Sequence, residues 1–249
     1  MLVDTHCHVL SEYYDNIEEV INRAKASGVE MIIVNGVNGK SNREVLELVS
    51  KYDIVYGAIG IQPESVETAT EEDFDFIEKH ICDDKILAVG EIGLDYHYDG
   101  DREKQRNFFK RQLKIAKKYQ KPVIVHSRDC IQETYDILKL SGVKGIMHCY
   151  SGSVEMAREF CKIGFYLGIG GIVTFKNAVK LLDVIKDISL EYIVLETDSP
   201  YLSPEPYRGK VNEPANVNVI LQKICDIKGL DIKQVSEVTT GNVLRLFDK

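Results

Sequence analysis

The hydrophobic and polar positions of the chain alternate between two periods along its whole length. Short, nearly continuous apolar runs rich in β-branched residues indicate strands, and longer segments with apolar residues every three to four positions indicate helices. The predicted strands are residues 2–9, 30–36, 53–60, 85–93, 121–127, 144–150, 164–171 and 191–198. Several predicted helices end at a glycine, namely Gly28, Gly142 or Gly164, which is typical of helix C-termini.

Eight strand–helix units in succession predict an α/β protein with the (β/α)8 TIM-barrel fold. A length of 249 residues is ordinary for such a barrel. No linker or break in composition indicates a second part, so residues 1–249 are expected to form a single domain. The stretch 231–249 predicts an additional helix that packs on the barrel.

The composition is that of a globular enzyme, with 44% hydrophobic and 28% charged residues. A net charge of −8 argues against a tight, non-specific nucleic-acid binder, but it permits an enzyme that holds phosphate in a local pocket. The six cysteines are scattered and form no CxxC pair, as expected for reduced thiols. Without a signal segment or a membrane-length apolar run, the expected location is the cytoplasm, with no membrane association. Nothing in the sequence indicates an obligatory protein partner.

Two histidines stand one residue apart in the first predicted strand, within the stretch VDTHCHV (3–9). Because successive side chains of a strand point to opposite faces, His6 and His8 share one face and Cys7 takes the other. Two imidazoles on one face are either the beginning of a metal site or polar residues satisfied within a core strand. The positions of further metal-binding residues decide between these interpretations.

Metal-binding residue types recur at the ends of the predicted strands. Active sites of (β/α)8 barrels lie at the C-terminal ends of their strands, so this is the edge at which ligands are expected. The candidates there are His6, His8, Glu91, His126, His148 and Asp198. The two remaining histidines, His80 and His97, fall in a helical pattern and in a loop. The coincidence of six such residues at one edge favours a metal centre over polar residues that are satisfied separately.

The size of this ligand set indicates two metal ions. A single catalytic zinc usually takes three protein ligands, and a carboxylate can bridge two ions about 3.5–4 Å apart. Glu91 is the expected bridge. Imidazole and carboxylate ligands suit Zn²⁺, Mn²⁺, Fe²⁺ or Mg²⁺, and two such ions would leave a local positive charge that attracts an anionic ester.

The motifs HxH, GEIGLD, PVIVHSRD, HCYSG and ETDSP occur in this order. With them the chain resembles the TatD family of metal-dependent hydrolases, which belongs to the amidohydrolase-like barrels. The likeness spans nearly the whole chain and includes GGIVTFKNA (170–178) and TTGNVLRLF (239–247). The resemblance implies a divalent-metal deoxyribonuclease or a related phosphodiesterase, with the six residues above as metal ligands.

Two positions depart from the family pattern and bear on the substrate. Gln62 stands in GIQP where family members usually read GIHP, and glutamine can neither titrate nor carry charge. Val211 stands where a basic residue is common. With the net charge of −8, little remains to hold a long polyanion, so DNA ends or short oligonucleotides are expected as substrates in preference to intact duplex.

Three residues are candidates for binding the substrate, namely Gln62, Arg128 and Arg208. For the two arginines a surface salt bridge is the alternative role. The basic run 102–121 is expected to be the solvated face of an outer helix, with a nucleic-acid surface as the alternative.

The expected reaction is hydrolysis of a phosphodiester by a metal-activated water. Asp198 is expected to bind metal and to accept the proton of that water, while Glu91 bridges the ions. Glu196 is either a partner of a histidine or an ordinary core hydrogen-bonding group. The alternative enzyme is an amidohydrolase acting on a cyclic amide, a lactone or another small substrate. The alternative without catalysis is a metal-stabilised barrel that binds a partner.

Overall fold

The computed structural model describes residues 1–249, in which strands and helices alternate along the chain. The strands are β1 (Leu2–Cys7), β2 (Val29–Asn35), β3 (Val55–Ile59), β4 (Ile86–Asp95), β5 (Val123–Arg128), β6 (Gly145–Met147), β7 (Phe165–Ile169) and β8 (Ile193–Leu195). The helices are α1 (Ile17–Ala26), α2 (Gly39–Lys51), α3 (Glu71–His80), α4 (Arg102–Lys118), α5 (Ile131–Ser141), α6 (Val154–Lys162), α7 (Val179–Asp187), α8 (Val217–Lys228) and α9 (Ile232–Phe247).

The eight strands belong to one sheet and follow one another in chain order, from β1 to β8. Neighbouring strands pair in parallel, as between β4 and β5 or between β7 and β8. A parallel sheet in this order, with helices between its strands, is the (β/α)8 barrel topology. The predicted fold class is therefore confirmed.

Two strands are much shorter than the apolar pattern predicts. The predicted runs 144–150 and 191–198 contain β6 and β8, each of only three residues. Beyond them the backbone leaves the extended region, because Cys149 has φ 46° and Asp198 has φ 55°. His148 and Asp198 therefore lie in the loops that directly follow their strands.

The chain divides into two compact units. Unit 1 consists of Met1–Val34, Cys149–Cys161 and Tyr166–Lys249, and unit 2 consists of Asn35–His148 and Lys162–Phe165. Unit 1 carries β1, β8 and most of β2 and β7, while unit 2 carries β3 to β6. The expectation of a single domain over residues 1–249 stays a prediction.

In unit 1, the first and last strands are joined directly. The Asp198 N–H donates to the His6 carbonyl at 2.9 Å, and the His8 N–H donates to the Ser199 carbonyl at 2.6 Å. Helix α9 secures the other end of the same strands, because Thr240 Oγ1 donates to the Met1 carbonyl and Asn242 Nδ2 donates to the Ile193 carbonyl. The additional helix predicted over 231–249 is thereby confirmed.

In unit 2, two amphipathic helices cover the sheet. Phe109 and Leu113 of α4 are buried, and Phe74 of α3 packs edge-on against Phe108 with ring centroids 5.0 Å apart. Each large apolar side chain buried in this way stabilises the fold by about 1.5–3 kcal/mol. Across the whole chain, no helix combines the length and the apolar character needed to cross a bilayer.

The glycines at predicted helix ends have the expected conformation. Gly142 is the left-handed C-cap of α5, with φ 70°, and its N–H donates to the Leu138 carbonyl. Gly28 and Gly164 also have positive φ, 81° and 88°. A left-handed residue after a helix costs a glycine little, because it has no Cβ.

Candidate metal centre

Three predicted ligands meet in unit 1 and form the His6 cluster, defined as His6, His8 and Asp198. The two Nε2 atoms lie 3.1 Å apart. Asp198 Oδ1 lies 3.7 Å from His6 Nε2 and 3.6 Å from His8 Nε2. All three residues are buried, and the two rings meet edge to face. Three ligand atoms from two loops and a strand therefore converge on one point.

The donor set of the His6 cluster fits a divalent cation. Ligand atoms that each lie about 2.1 Å from one metal, at tetrahedral or right angles, are separated by about 3.0–3.4 Å. The three separations are close to this range. Two imidazole nitrogens and a carboxylate oxygen are the ligands that zinc, manganese and iron take in hydrolases.

Backbone and buried polar contacts hold Asp198 beside the histidines. It follows Thr197, whose N–H and hydroxyl donate to the carboxylate of Asp4 at 2.9 and 2.6 Å. Asp4 is fully buried on the same strand as His6. Burial raises the pKa of Asp4 to about 8, although the bonds from Thr197 act in the opposite direction. Sequence reasoning missed Asp4, although it alternates with His6 and His8 along the strand.

Unit 2 contains the second group, the His126 cluster, defined as Glu91, Asp95, His126 and His148. His126 Nδ1 lies 3.1 Å from Glu91 Oε1, and His126 Nε2 lies 2.9 Å from Asp95 Oδ2. The ring of His148 stacks near that of His126, with centroids 6.2 Å apart and an angle of 29° between the planes. Both ring nitrogens of His126 thus face a carboxylate.

These carboxylates control the charge of His126 in the metal-free protein. Burial lowers the pKa of His126, but the hydrogen bonds to Asp95 and Glu91 and their negative charge raise it to about 10. Burial likewise raises the pKa of Asp95, yet the hydrogen bonds from His126 and from the His97 N–H bring it below its usual value. Without a bound cation, His126 is an imidazolium between the carboxylates of Glu91 and Asp95. A divalent cation would take the place of one of its protons.

The register of β4 and β5 creates this arrangement. Gly93 lies opposite His126, with Asp95 opposite Arg128. A Cβ on Gly93 would stand 2.0 Å from the His126 carbonyl oxygen, so only glycine allows the two strands this approach. Asp95 was missed by the sequence analysis. The signal was present in GEIGLD, because Glu91 and Asp95 are four residues apart and share a strand face.

Glu196 secures the loop that follows β6. Its Oε1 accepts a hydrogen bond from the Cys149 N–H at 2.7 Å, and the side chain is fully buried. This contact fixes the backbone next to His148. Of the two roles expected for Glu196, it is direct evidence for the second, core hydrogen bonding.

The three candidates for substrate binding occupy loops. Gln62 lies beyond the end of β3, before a short 3-10 turn, and its N–H donates to the Val37 carbonyl at 3.0 Å. The exposed Arg128 guanidinium lies over the Tyr98 ring, 5.3 Å from its centroid. Arg208, also exposed, lies 3.8 Å from the centroid of the Phe175 ring. Each of the two exposed guanidinium groups thus lies over an aromatic ring.

Comparison with known proteins finds relatives that match nearly the whole chain. A family model described as TatD related DNase matches residues 3–248. The uncharacterized metal-dependent hydrolase YabD of Bacillus subtilis is 43% identical, over 99% of this chain and 99% of its own length. The uncharacterized metal-dependent hydrolase YcfH of Escherichia coli K12 is 33% identical, over 99% and 95%. The crystal structure of YjjV, a TatD homologue from Escherichia coli K12, matches with a TM-score of 0.94 at 30% identity and covers 100% of this chain and 98% of that one.

Proposed function

Because this chain belongs to the TatD family of metal-dependent hydrolases, we propose that it is a deoxyribonuclease or a related phosphodiesterase. The observation that carries the proposal is the chemistry of the two clusters. Each combines imidazole with carboxylate, and each lies at the carboxyl ends of strands in one parallel sheet. Functional residues of (β/α)8 enzymes gather at that edge.

We propose that the chain binds two divalent ions. The ligands would be His6, His8, Glu91, His126, His148 and Asp198. Six ligands exceed the three that a single catalytic zinc usually takes, which supports two ions. The donor chemistry suits Zn²⁺, Mn²⁺ or Mg²⁺.

The chain's own residues have distinct roles in the proposed reaction. Divalent ions, when bound, would supply Lewis acidity toward phosphoryl oxygens and water. Asp198, buried beside His8, would accept the proton of the attacking water and return it to the leaving oxygen. Asp95 would hold the proton on His126 Nε2 and so leave Nδ1, on the Glu91 side, for the cation.

The charge distribution supports DNA ends or short oligonucleotides as substrates. The net charge of −8 opposes a long polyanion. Gln62 supplies no positive charge in the loop after β3. Arg128 and Arg208 are exposed and would each contact one phosphate. A surface of this charge repels substrates with few phosphates less than it repels a long polyanion.

The test is a substrate panel run with Asp198→Asn as the reference variant. Single-stranded DNA, duplex DNA, a small phosphodiester, a cyclic amide and a lactone are assayed at matched Mn²⁺ or Zn²⁺. We expect the phosphodiesters to be hydrolysed, single strands faster than duplex, and Asp198→Asn to lower kcat by about 10²–10⁴.

A matched control is Asp248→Asn, because Asp248 is an exposed aspartate that also has positive φ, 52°. It should retain wild-type turnover. Ready hydrolysis of the amide or lactone with none of the phosphodiesters would overturn the proposal in favour of an amidohydrolase. Wild-type turnover in Asp198→Asn would remove Asp198 from the reaction.

A further inference from the structure

Two partly exposed tyrosines adjoin the His6 cluster. Tyr201 is 49% exposed, and its ring centroid lies 6.2 Å from that of His8. Tyr13 lies on another side, with its centroid 5.7 Å from that of Tyr201. Both neighbours meet the Tyr201 ring at steep angles, 66° and 70°, so neither is stacked on it. Aromatic surface thus reaches solvent beside His8, one of the three predicted metal ligands of this cluster.

Hydrogen bonds fix the loop that carries Tyr201. Its N–H donates to the Asp198 carbonyl at 2.8 Å. Its carbonyl accepts from Asn212 Nδ2 at 2.7 Å, and the same nitrogen donates to the Thr197 carbonyl at 2.9 Å. Asn212 is fully buried. The position of Tyr201 relative to Asp198 is therefore determined by the backbone and by a buried amide.

The same asparagine secures the loop that carries Tyr13. The hydroxyl of the next residue, Tyr14, donates to the Asn212 carbonyl at 2.6 Å. The Tyr13 N–H donates to the Leu10 carbonyl at 3.0 Å, which begins a turn just after β1. The two loops that carry the rings are thus both bonded to one buried residue. Loops fixed in this way lose little conformational entropy when a ligand packs on the rings that they carry.

The charges around the tyrosines select against phosphate. Glu12 and Asp15 flank Tyr13 in the sequence and are exposed. An acidic surrounding repels a phosphate group but not the uncharged plane of a nucleobase. Stacking on an aromatic side chain is open to every base, because each has a π-face.

We propose that Tyr201 and Tyr13 form a stacking subsite for a nucleobase next to the scissile phosphate. The subsite rests on the proposed phosphodiesterase function and specifies its substrate, a nucleotide whose base contacts protein while its phosphodiester reaches the metal ligands. The subsite should therefore favour esters that carry a nucleobase over esters without one, and it should accept all four bases.

The kinetic test compares a dinucleotide with its abasic analogue. We expect Tyr201→Ala to raise KM for the dinucleotide by about tenfold, within the range that alanine substitution at stacked aromatics produces. Tyr201→Phe keeps the ring and should behave as wild type. The KM for the abasic analogue and kcat for both substrates should stay within about twofold, with metal content unchanged.

A matched control exists in the same unit. Tyr192 is 38% exposed and pairs with Tyr166, with ring centroids 6.4 Å apart, where β7 and β8 begin. Tyr192→Ala removes the same chemical group from an exposed tyrosine pair at the opposite ends of the strands. It should leave both KM values unchanged.

A binding measurement separates this inference from the proposed function. The chain contains no tryptophan, so the fluorescence of a 2-aminopurine dinucleotide can be followed without interference. Stacking should quench it on titration with metal-loaded protein, and Tyr201→Ala should weaken binding by about tenfold. If phosphodiesters are cleaved but Tyr201→Ala treats base-bearing and abasic substrates as wild type does, the subsite is overturned and the function stands. If none is cleaved, the function fails, and unchanged 2-aminopurine affinity in Tyr201→Ala overturns the subsite as well.

Discussion

At the scale of single residues, His126 shows how a carboxylate outside the predicted ligand set orients a candidate ligand. Asp95 accepts from Nε2 at 2.9 Å, which directs Nδ1 toward Glu91. A second carboxylate of this kind fixes the tautomer and the orientation of a metal-binding imidazole. The strand alternation that places Glu91 on one face of β4 also places Asp95 there.

Replacing Asp95 by asparagine tests this role. Asp95→Asn keeps the volume but removes the charge that holds the proton on Nε2, so we expect metal affinity to fall by about 10–100-fold. The measurement is a competition titration against a chelating dye. Asp99→Asn, an exposed aspartate in the following loop, serves as the control. Equal affinity in Asp95→Asn and wild type would contradict the role.

At the scale of elements, the basic residues of α4 are largely engaged by the protein itself. Arg111 forms two hydrogen bonds with Glu71 of α3, and Lys118 pairs with Glu78 of the same helix. Lys104 pairs with Glu67 at 3.1 Å. A run that is rich in cations along the sequence is thus neutralised by acidic residues of α3 and of the segment before it, which supports the solvated outer face over a nucleic-acid surface.

The remaining lysines of α4 should therefore have no part in substrate binding. Lys110 and Lys114 are exposed, and we expect the double variant Lys110→Glu, Lys114→Glu to leave KM for a short single strand and its salt dependence unchanged. Arg128→Gln is the comparison. It should raise KM and lower the slope of log KM against log salt by about 0.7, the share of one phosphate contact. A slope reduced equally by the lysine variant would place α4 at the substrate.

The apolar pattern predicts the eight strands and their order, because strands buried on both faces leave a continuous signal. It overestimates β6 and β8, since the left-handed conformations of Cys149 and Asp198 have no hydrophobic signature. The candidate ligands can be recognised in the sequence because histidine is rare and its position at a strand end is distinctive. Asp95 and Tyr201 cannot be recognised in this way, because aspartate and tyrosine are common near loops. Only the strand register shows the contact of Asp95 with His126, and only the ring contacts place Tyr201 beside His8.

At the scale of the whole molecule, the negative charges of neighbouring buried carboxylates must be balanced by bound protons when no metal is present. His126 binds such a proton, because the carboxylates beside it raise its pKa to about 10. A histidine whose folded pKa exceeds its unfolded value stabilises the fold below the unfolded pKa and loses this contribution as pH rises through the folded one. The relevant window runs from about pH 6.5 to about pH 10.

The free energy of unfolding of chelator-treated protein should accordingly decline across this window. We expect the urea midpoint of wild type to fall more between pH 6.5 and 9.5 than that of His126→Gln, which lacks the titrating group. His80→Gln is the control, because His80 forms a pair with the exposed Asp83 far from any predicted ligand in sequence. Parallel profiles for wild type and His126→Gln would show that His126 is not protonated in the metal-free fold.

The hydrogen bonds from α9 to the beginnings of β1 and β8 have a consequence for biosynthesis. Unit 1 draws on three separate stretches of chain, whereas unit 2 is almost entirely the continuous segment Asn35–His148. Contacts between distant stretches must await the later one, and closing long loops slows their formation. On the ribosome, β1 therefore emerges before the other seven strands yet waits for residues 232–247, while the segment that carries His126 can already fold. The cell's chaperones would meet an intermediate whose exposed apolar surface is the strand carrying His6.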